Sequence, residues 1–287
     1  MNMEQTDLFM KATLSIRSKT MSINKRAARY QNYHHCFSQE DQIMSIKENA
    51  KYLTLSYIFH HYEDLISDAE DIKMPHREFL DDILEKEAQQ RRENGIKRRI
   101  RQAHFPHKKY IMDFKTDHLS DELASRIKRL ESLEFIDDDE NVILIGNPGT
   151  GKTHLAIALG IEACMKGKNV LFTSVPNLVI ELKEAMSLQQ IHRYKKSFEK
   201  YDLIILDELG YVSFDKEGNE ILFNLLSNRN DNGSIMITSN LVFDRWQEVF
   251  HDPVLTGALI DRLAHKAHVL DMSGDSYRIK ETQEWLS

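Results

Sequence analysis

The chain has 287 residues, 29% of them charged and 41% hydrophobic, with a net charge of −7. That balance excludes a disordered or membrane-embedded class and fits one main core with a smaller appendage. No apolar run approaches the roughly 18 residues of a membrane span. Glu4 and Asp7 come early and no apolar stretch follows, against a cleaved export signal. Only Cys36 and Cys164 are present, so the expectation is a cytoplasmic protein with reduced thiols.

Residues 1–43 show no sustained periodicity and read as a weakly ordered extension. Residues 44–103 read as a small helical module. From Leu53, apolar positions recur at Tyr57, Ile58, His61, Tyr62, Leu65 and Ile66, one face of a helix. Pro75 opens a second helix with Phe79, Leu80, Ile83, Leu84 and Ala88 inward, weakening at Gly95. Charge reverses along this module. Tyr62 to Glu85 holds nine acidic and two basic residues, and Lys86 to Lys109 holds nine basic and two acidic ones, so the average charge describes neither half.

Residues 104–287 read as a linker, about His104 to Lys115, followed by an α/β unit. Ser120, with Asp121 and Glu122 behind it, caps a helix carrying Leu123, Ile127, Leu130 and Leu133. Short apolar runs at 141–146, 169–174, 202–207, 234–240 and 268–272 then alternate with helical stretches. That alternation predicts a parallel sheet covered by helices on both faces.

Three motifs carry chemistry. Gly146, Asn147, Pro148, Gly149, Thr150, Gly151, Lys152 and Thr153 follow the first strand and enter an apolar helix that begins at His154, counted here with the loop. Glycines let backbone N–H groups wrap phosphates, and the helix start adds partial positive charge. In such a loop Lys152 reaches the β and γ phosphates and Thr153 ligates Mg²⁺. The four fixed positions arise by chance in about one chain in a hundred of this size. The second motif is the run Leu203 to Leu206 ending in Asp207 and Glu208 at a strand tip, where ligands of open α/β sheets bind. Asp207 is expected to hold Mg²⁺ through water, and Glu208 to orient or deprotonate the attacking water. The third is Ile235 to Asn240, whose terminal Asn240 is placed to bond the γ-phosphate or the lytic water; a plain turn asparagine is the bland alternative.

These motifs, together with Asp207-Glu208-Leu209-Gly210-Tyr211, Thr238-Ser239-Asn240, Asp261-Arg262-Leu263 and Gly274-Asp275-Ser276-Tyr277-Arg278, resemble in order and spacing the IstB-like ATPases. These are transposition helper proteins of bacterial insertion sequences, related to DnaC-type helicase loaders in the AAA+ class. The resemblance runs from about Leu53 to Arg278. It implies a P-loop ASCE/AAA+ core of five parallel strands, order 5-1-4-3-2, behind the helical module. It also implies ATP and Mg²⁺ as cofactors, an ATP-dependent homo-oligomer on duplex DNA, and the transposase of the same insertion sequence as partner. Arg262 resembles an arginine finger reaching a neighbouring subunit's γ-phosphate, and Arg278 a second sensor arginine; for either, the alternative is an ion pair with Asp261 or Asp275. Only 17 residues follow Leu270, too few for a separate helical lid, which loosens the reading of Arg278.

Two basic clusters suit phosphate neutralisation along DNA. The first is Arg91, Arg92, Lys97, Arg98, Arg99 and Arg101, and the second is Arg193, Lys195 and Lys196. The alternative for the first is a solvated helix face paired with the acidic stretch before it. The competing functions are a helicase loader, whose DNA affinity is single-stranded, and a small-molecule kinase, disfavoured by Glu208 and by the lack of an arginine-rich lid. No acidic cluster outside Asp207 and Glu208 points to a nuclease, and no membrane partner is expected.

Overall fold

The structure is a computed structural model describing residues 44–116, 119–227, 229, 233–274 and 276–277. The expected extension over 1–43, Cys36, Asp275 and Arg278 lie outside the described residues. The chain divides into two units, the first ending at Gln90 and the second beginning at Arg91.

In the first unit, Ser45 and Glu48 cap one another's backbone amides and open α1 (Ile46–Tyr52). Helix α2 (Ser56–Asp71) follows Leu55 and has no side-chain cap of its own. Its start is closed instead by Glu87 of α3 (His76–Gln102), which accepts from the amides of Ser56, Tyr57 and Ile58 at 3.0, 2.8 and 3.1 Å. A helix start presents unbonded N–H groups and partial positive charge, which is why a carboxylate can be buried there. Leu65 is buried and Tyr57, Ile58, Tyr62 and Ile66 are half-buried, but His61 is exposed.

On α3 the expected inward face is too wide: Phe79, Ile83 and Ala88 are half-buried, whereas Leu80 and Leu84 are exposed. Phe79, Ile83 and Glu87 follow at four-residue steps and take the covered stripe. Leu80 and Leu84 lie one residue, about 100°, further round. Gly95 does not end this helix, which runs on to Gln102. An interior glycine costs about 1 kcal/mol relative to alanine, and the turn after it is anchored where Arg99 Nε donates to the Cys164 carbonyl at 2.9 Å.

The second unit is built on five parallel strands, β1 (Asn141–Ile145), β2 (Val170–Ser174), β3 (Leu203–Leu209), β4 (Ser234–Ser239) and β5 (Ala267–Asp271). They lie in the order β2-β3-β4-β1-β5, the expected order read from the other edge. Residue alternation along the strands sends side chains to two apolar layers. Val142 and Leu144 of β1, with Leu203 and Ile205 of β3, pack against α4 (Asp121–Leu130), the short α5 (Glu134–Asp137) and α6 (Lys152–Met165). Ile143, Ile145, Ile204 and Leu206 pack against α7 (Val175–Ser187), α8 (Ile191–Phe198), α9 (Lys216–Ser227), the short α10 (Gln247–Phe250) and α11 (Pro253–Ala264). Ser120 caps α4 as expected, its Oγ accepting from Leu123 N at 3.2 Å.

The segment expected as a linker is part of the packing. The Ala103 carbonyl accepts from Phe172 N at 2.8 Å, and the Phe105 ring lies 6.0 Å from that of Phe172. Phe105, Ile111 and Phe114 pack against the first apolar layer. Cys164 is buried there as a free thiol, its pKa pushed up to about 11 by burial.

Candidate functional site

The carboxyl ends of β1, β3 and β4 bring the three motifs together. The loop after β1 holds Gly146, Gly149 and Gly151 at φ of 152°, 84° and 95°, and Gly151 directly precedes α6, whose first residues are Lys152 and Thr153. These glycines are required by space as well as by backbone angle. A Cβ on Gly146 would lie 2.6 Å from the Met272 carbonyl, and one on Gly149 2.2 Å from Ser276 Oγ. The loop is thus held from outside by the chain after β5: Met272 N donates to Ile145 O at 2.6 Å and Tyr277 N to Gly149 O at 3.0 Å. Within it, Thr150 Oγ1 donates to Asn147 O at 2.9 Å, and Pro148 takes its place between Asn147 and Gly149.

Lys152 is 7% exposed, and its Nζ donates to the carbonyls of Gly146 and Asn147, each at 2.7 Å, so the ammonium stands inside the loop. Thr153 Oγ1 donates to Asp207 Oδ1 at 2.9 Å, joining the loop helix to the tip of β3 across 54 residues of sequence. Asp207 is 6% exposed, whereas Glu208 beside it is exposed and has φ 66°. Asn240 follows β4, and its buried Oδ1 has no hydrogen-bond partner. A Cβ on Gly210 would lie 2.7 Å from that oxygen, so glycine there leaves it room.

His154 packs against the segment expected as a linker. Its ring is 5.4 Å, edge to face, from Phe114, which also packs on Gly151. Burial holds its pKa below the usual range, partly offset by a hydrogen bond with the Tyr110 backbone. This wall was not legible as part of the site, although three aromatics, Phe105, Tyr110 and Phe114, in a supposed linker are a packing signal.

The residues present fit a nucleotide with a divalent cation. The cradle admits only glycine at its tightest points, the unpartnered Asn240 Oδ1 can accept from a water at the carboxyl end of the sheet, and the Thr153 hydroxyl with the Asp207 carboxylate is a hard oxygen donor set of the kind Mg²⁺ takes.

Arg262 is not at this site in the same chain. It is exposed in the last turn of α11, its guanidinium 5.1 Å from the Phe223 ring centroid, and shares a pocket with Asp139, Asn141, Arg229 and Gly233 at the amino ends of β1 and β4. That is a strand length, roughly 16 Å, from the loop. The first basic cluster lies on α3, with Arg91, Arg92, Lys97, Arg98 and Arg101 exposed and Arg99 half-buried through its bond to the Cys164 carbonyl. In the second, Arg193 and Lys196 are exposed and Lys195 is half-buried on α8, which Tyr194 fixes to α7 by donating to Glu181 Oε2 at 2.7 Å.

The family model described as IstB-like ATP binding protein matches residues 48–284. The chain is 36% identical, over 81% of its length and 88% of the relative's, to the protein of Pseudomonas aeruginosa named for ATP binding in insertion sequence IS21. It is 32% identical, over 84% of its length and 97% of the relative's, to the corresponding protein of insertion sequence IS232 in Bacillus thuringiensis subsp. berliner. Among solved structures, AMPPCP-bound DnaA from Aquifex aeolicus aligns with a TM-score of 0.51 and 21% identity, over 63% of this chain and 55% of that one, a likeness of fold.

Proposed function

The chain belongs to the family of IstB-like ATP binding proteins, and from that premise we propose that it is an ATPase that serves transposition. In this reading it binds ATP with Mg²⁺ at the carboxyl end of the sheet, hydrolyses it, assembles on duplex DNA as an ATP-dependent homo-oligomer in the cytoplasm, and regulates the transposase of its insertion sequence. The observation that carries the reading is the meeting of Thr153 and Asp207 at 2.9 Å, because it joins a phosphate loop to a carboxylate pair at one point.

Each residue then has a task. Backbone amides of Gly146 to Thr153 and the start of α6 receive the phosphates. Lys152 exchanges its bonds to the loop carbonyls for the β and γ phosphates. Thr153 and Asp207 hold the cation, which when bound offsets the charge of those phosphates. Glu208, exposed beside Asp207, orients and deprotonates the attacking water. Asn240 offers its amide to the terminal phosphate or that water. Arg262, remote from its own loop, acts on the site of the next subunit, so that turnover depends on assembly. Arg278 is assigned to the chain's own nucleotide on the family resemblance alone. The exposed cations of α3 and α8 contact DNA phosphates, and none of the described helices is long and apolar enough to cross a membrane.

ATP turnover measured with duplex DNA, single-stranded DNA and no DNA tests the proposal. The expected outcome is stimulation by duplex. Stimulation by single strands alone would favour a helicase loader, and turnover indifferent to DNA would remove the DNA role. The double variant Arg98→Glu/Arg101→Glu, chosen because Arg99 is engaged with the Cys164 carbonyl, should flatten the log–log salt dependence of duplex binding by about 2. ATP affinity should stay unchanged.

A further inference from the structure

Strands β3 and β4 pair one residue to one as far as Leu206 opposite Ile237, and resume at Leu209 opposite Ser239. Asp207 and Glu208 together therefore face the single residue Thr238, which is the arrangement of a β-bulge. Glu208 carries the strain as φ 66°, a conformation uncommon outside glycine. The shift has a consequence for side-chain direction. Ile204, Leu206 and Leu209 enter one apolar layer, whereas strict alternation would have followed Leu206 with Glu208. The bulge keeps that carboxylate out of the core and leaves it exposed at the strand tip.

A bulge loses ladder bonds, and here a side chain replaces them. Thr238, 2% exposed, accepts from Glu208 N at 3.1 Å and donates its single hydroxyl proton to Asp207 Oδ1 at 2.5 Å. That same oxygen receives Thr153 Oγ1 at 2.9 Å. One hydroxyl thus ties the backbone of one carboxylate residue to the side chain of the other. The task needs a group that is donor and acceptor at once, which threonine and serine have and valine lacks.

We propose that Thr238 is a positioning residue for hydrolysis: its hydroxyl holds the Asp207–Glu208 bulge so that Asp207 meets Thr153 while Glu208 faces the open tip. The inference rests on the hydrolytic reading given above and adds to it a residue that acts through Asp207 and Glu208.

The test compares wild type with Thr238→Val, which keeps the shape and loses both bonds, and Thr238→Ser, which keeps both. Melting temperature, ATP affinity with Mg²⁺ and with EDTA, kcat and KM are measured on each full-length protein. The valine variant should lose about 10- to 100-fold in kcat and most of the Mg²⁺-dependent gain in ATP affinity, its KM with Mg²⁺ rising in step with that loss, while affinity in EDTA stays within about threefold of wild type. Serine should restore both. Should the valine variant melt early, Thr238→Ala removes the hydroxyl without branching and carries the same expectation. A valine variant equal to wild type in kcat and in its Mg²⁺ gain overturns the inference, as does a serine variant as impaired as valine. Absence of turnover in the wild type would instead sink the hydrolytic reading, and the Mg²⁺ gain would still decide the role of Thr238.

Discussion

The two ends of the five-stranded sheet are built from the same strands and treat their asparagines differently. At the amino end, Asn141 donates to Leu263 O at 3.1 Å and accepts from Ile235 N at 2.9 Å. Ser234 Oγ donates to Phe135 O at 2.9 Å there, and Gly233 N to Asp139 Oδ1 at 2.8 Å. At the carboxyl end, Gly146, Gly149, Gly151 and Glu208 all sit at positive φ, and the buried Asn240 Oδ1 has no partner. Buried polar groups are normally satisfied, and strained backbone persists only where surrounding structure forces it. Positive φ also occurs at the amino end, at Asp139, Gly233 and Lys266, and Arg229 Nε there has no partner, so the contrast rests on the two asparagines: Asn141 is bonded on both sides, and Asn240 keeps an oxygen available for a ligand.

The largest effect that would sharpen this contrast comes from Glu208→Gln. Removing the ionisable group should lower ATP turnover about 100- to 1000-fold while equilibrium ATP binding is kept; full turnover in the variant would erase the catalytic side of the comparison. The two asparagines make the next test. Asn141→Leu removes two buried hydrogen bonds and strands the Ile235 amide, so it should cost about 2–4 kcal/mol in denaturant unfolding. Asn240→Ala removes an oxygen that has no partner, and should leave the unfolding midpoint nearly unmoved while slowing turnover about tenfold. If the stability losses came out equal, the two ends would not differ in the way described.

Much of this contrast is legible in the sequence because its signals are local. The loop from Gly146 to Thr153 needs eight consecutive residues, and the tip at Asp207 and Glu208 is announced by four apolar residues ahead of it. The strands, too, begin and end within a few residues of the apolar runs that predict them. What escaped depends on distance. The extension of β3 to Leu209 and the pairing of two residues with Thr238 follow from the register with β4, which no single run encodes. Leu80 and Leu84 read as inward because periodicity shows an apolar stripe without showing how much of it a neighbour covers. The segment around Phe105, Tyr110 and Phe114 lacks a regular period, which hides its aromatics as a packing signal, yet Phe114 lies against Gly151 and His154. Arg99, grouped with its basic neighbours by sequence, is drawn aside by a carbonyl 65 residues away.

The most direct trial of the central claim is an experimental structure of the protein with a non-hydrolysable ATP analogue and Mg²⁺. The account predicts the phosphates in the loop after β1, Lys152 Nζ moved off the Gly146 and Asn147 carbonyls onto them, Thr153 and Asp207 at the cation, and Glu208 with Asn240 facing the terminal phosphate. An analogue bound elsewhere, or a Lys152 still bonded to its own loop with Glu208 turned away, would contradict it.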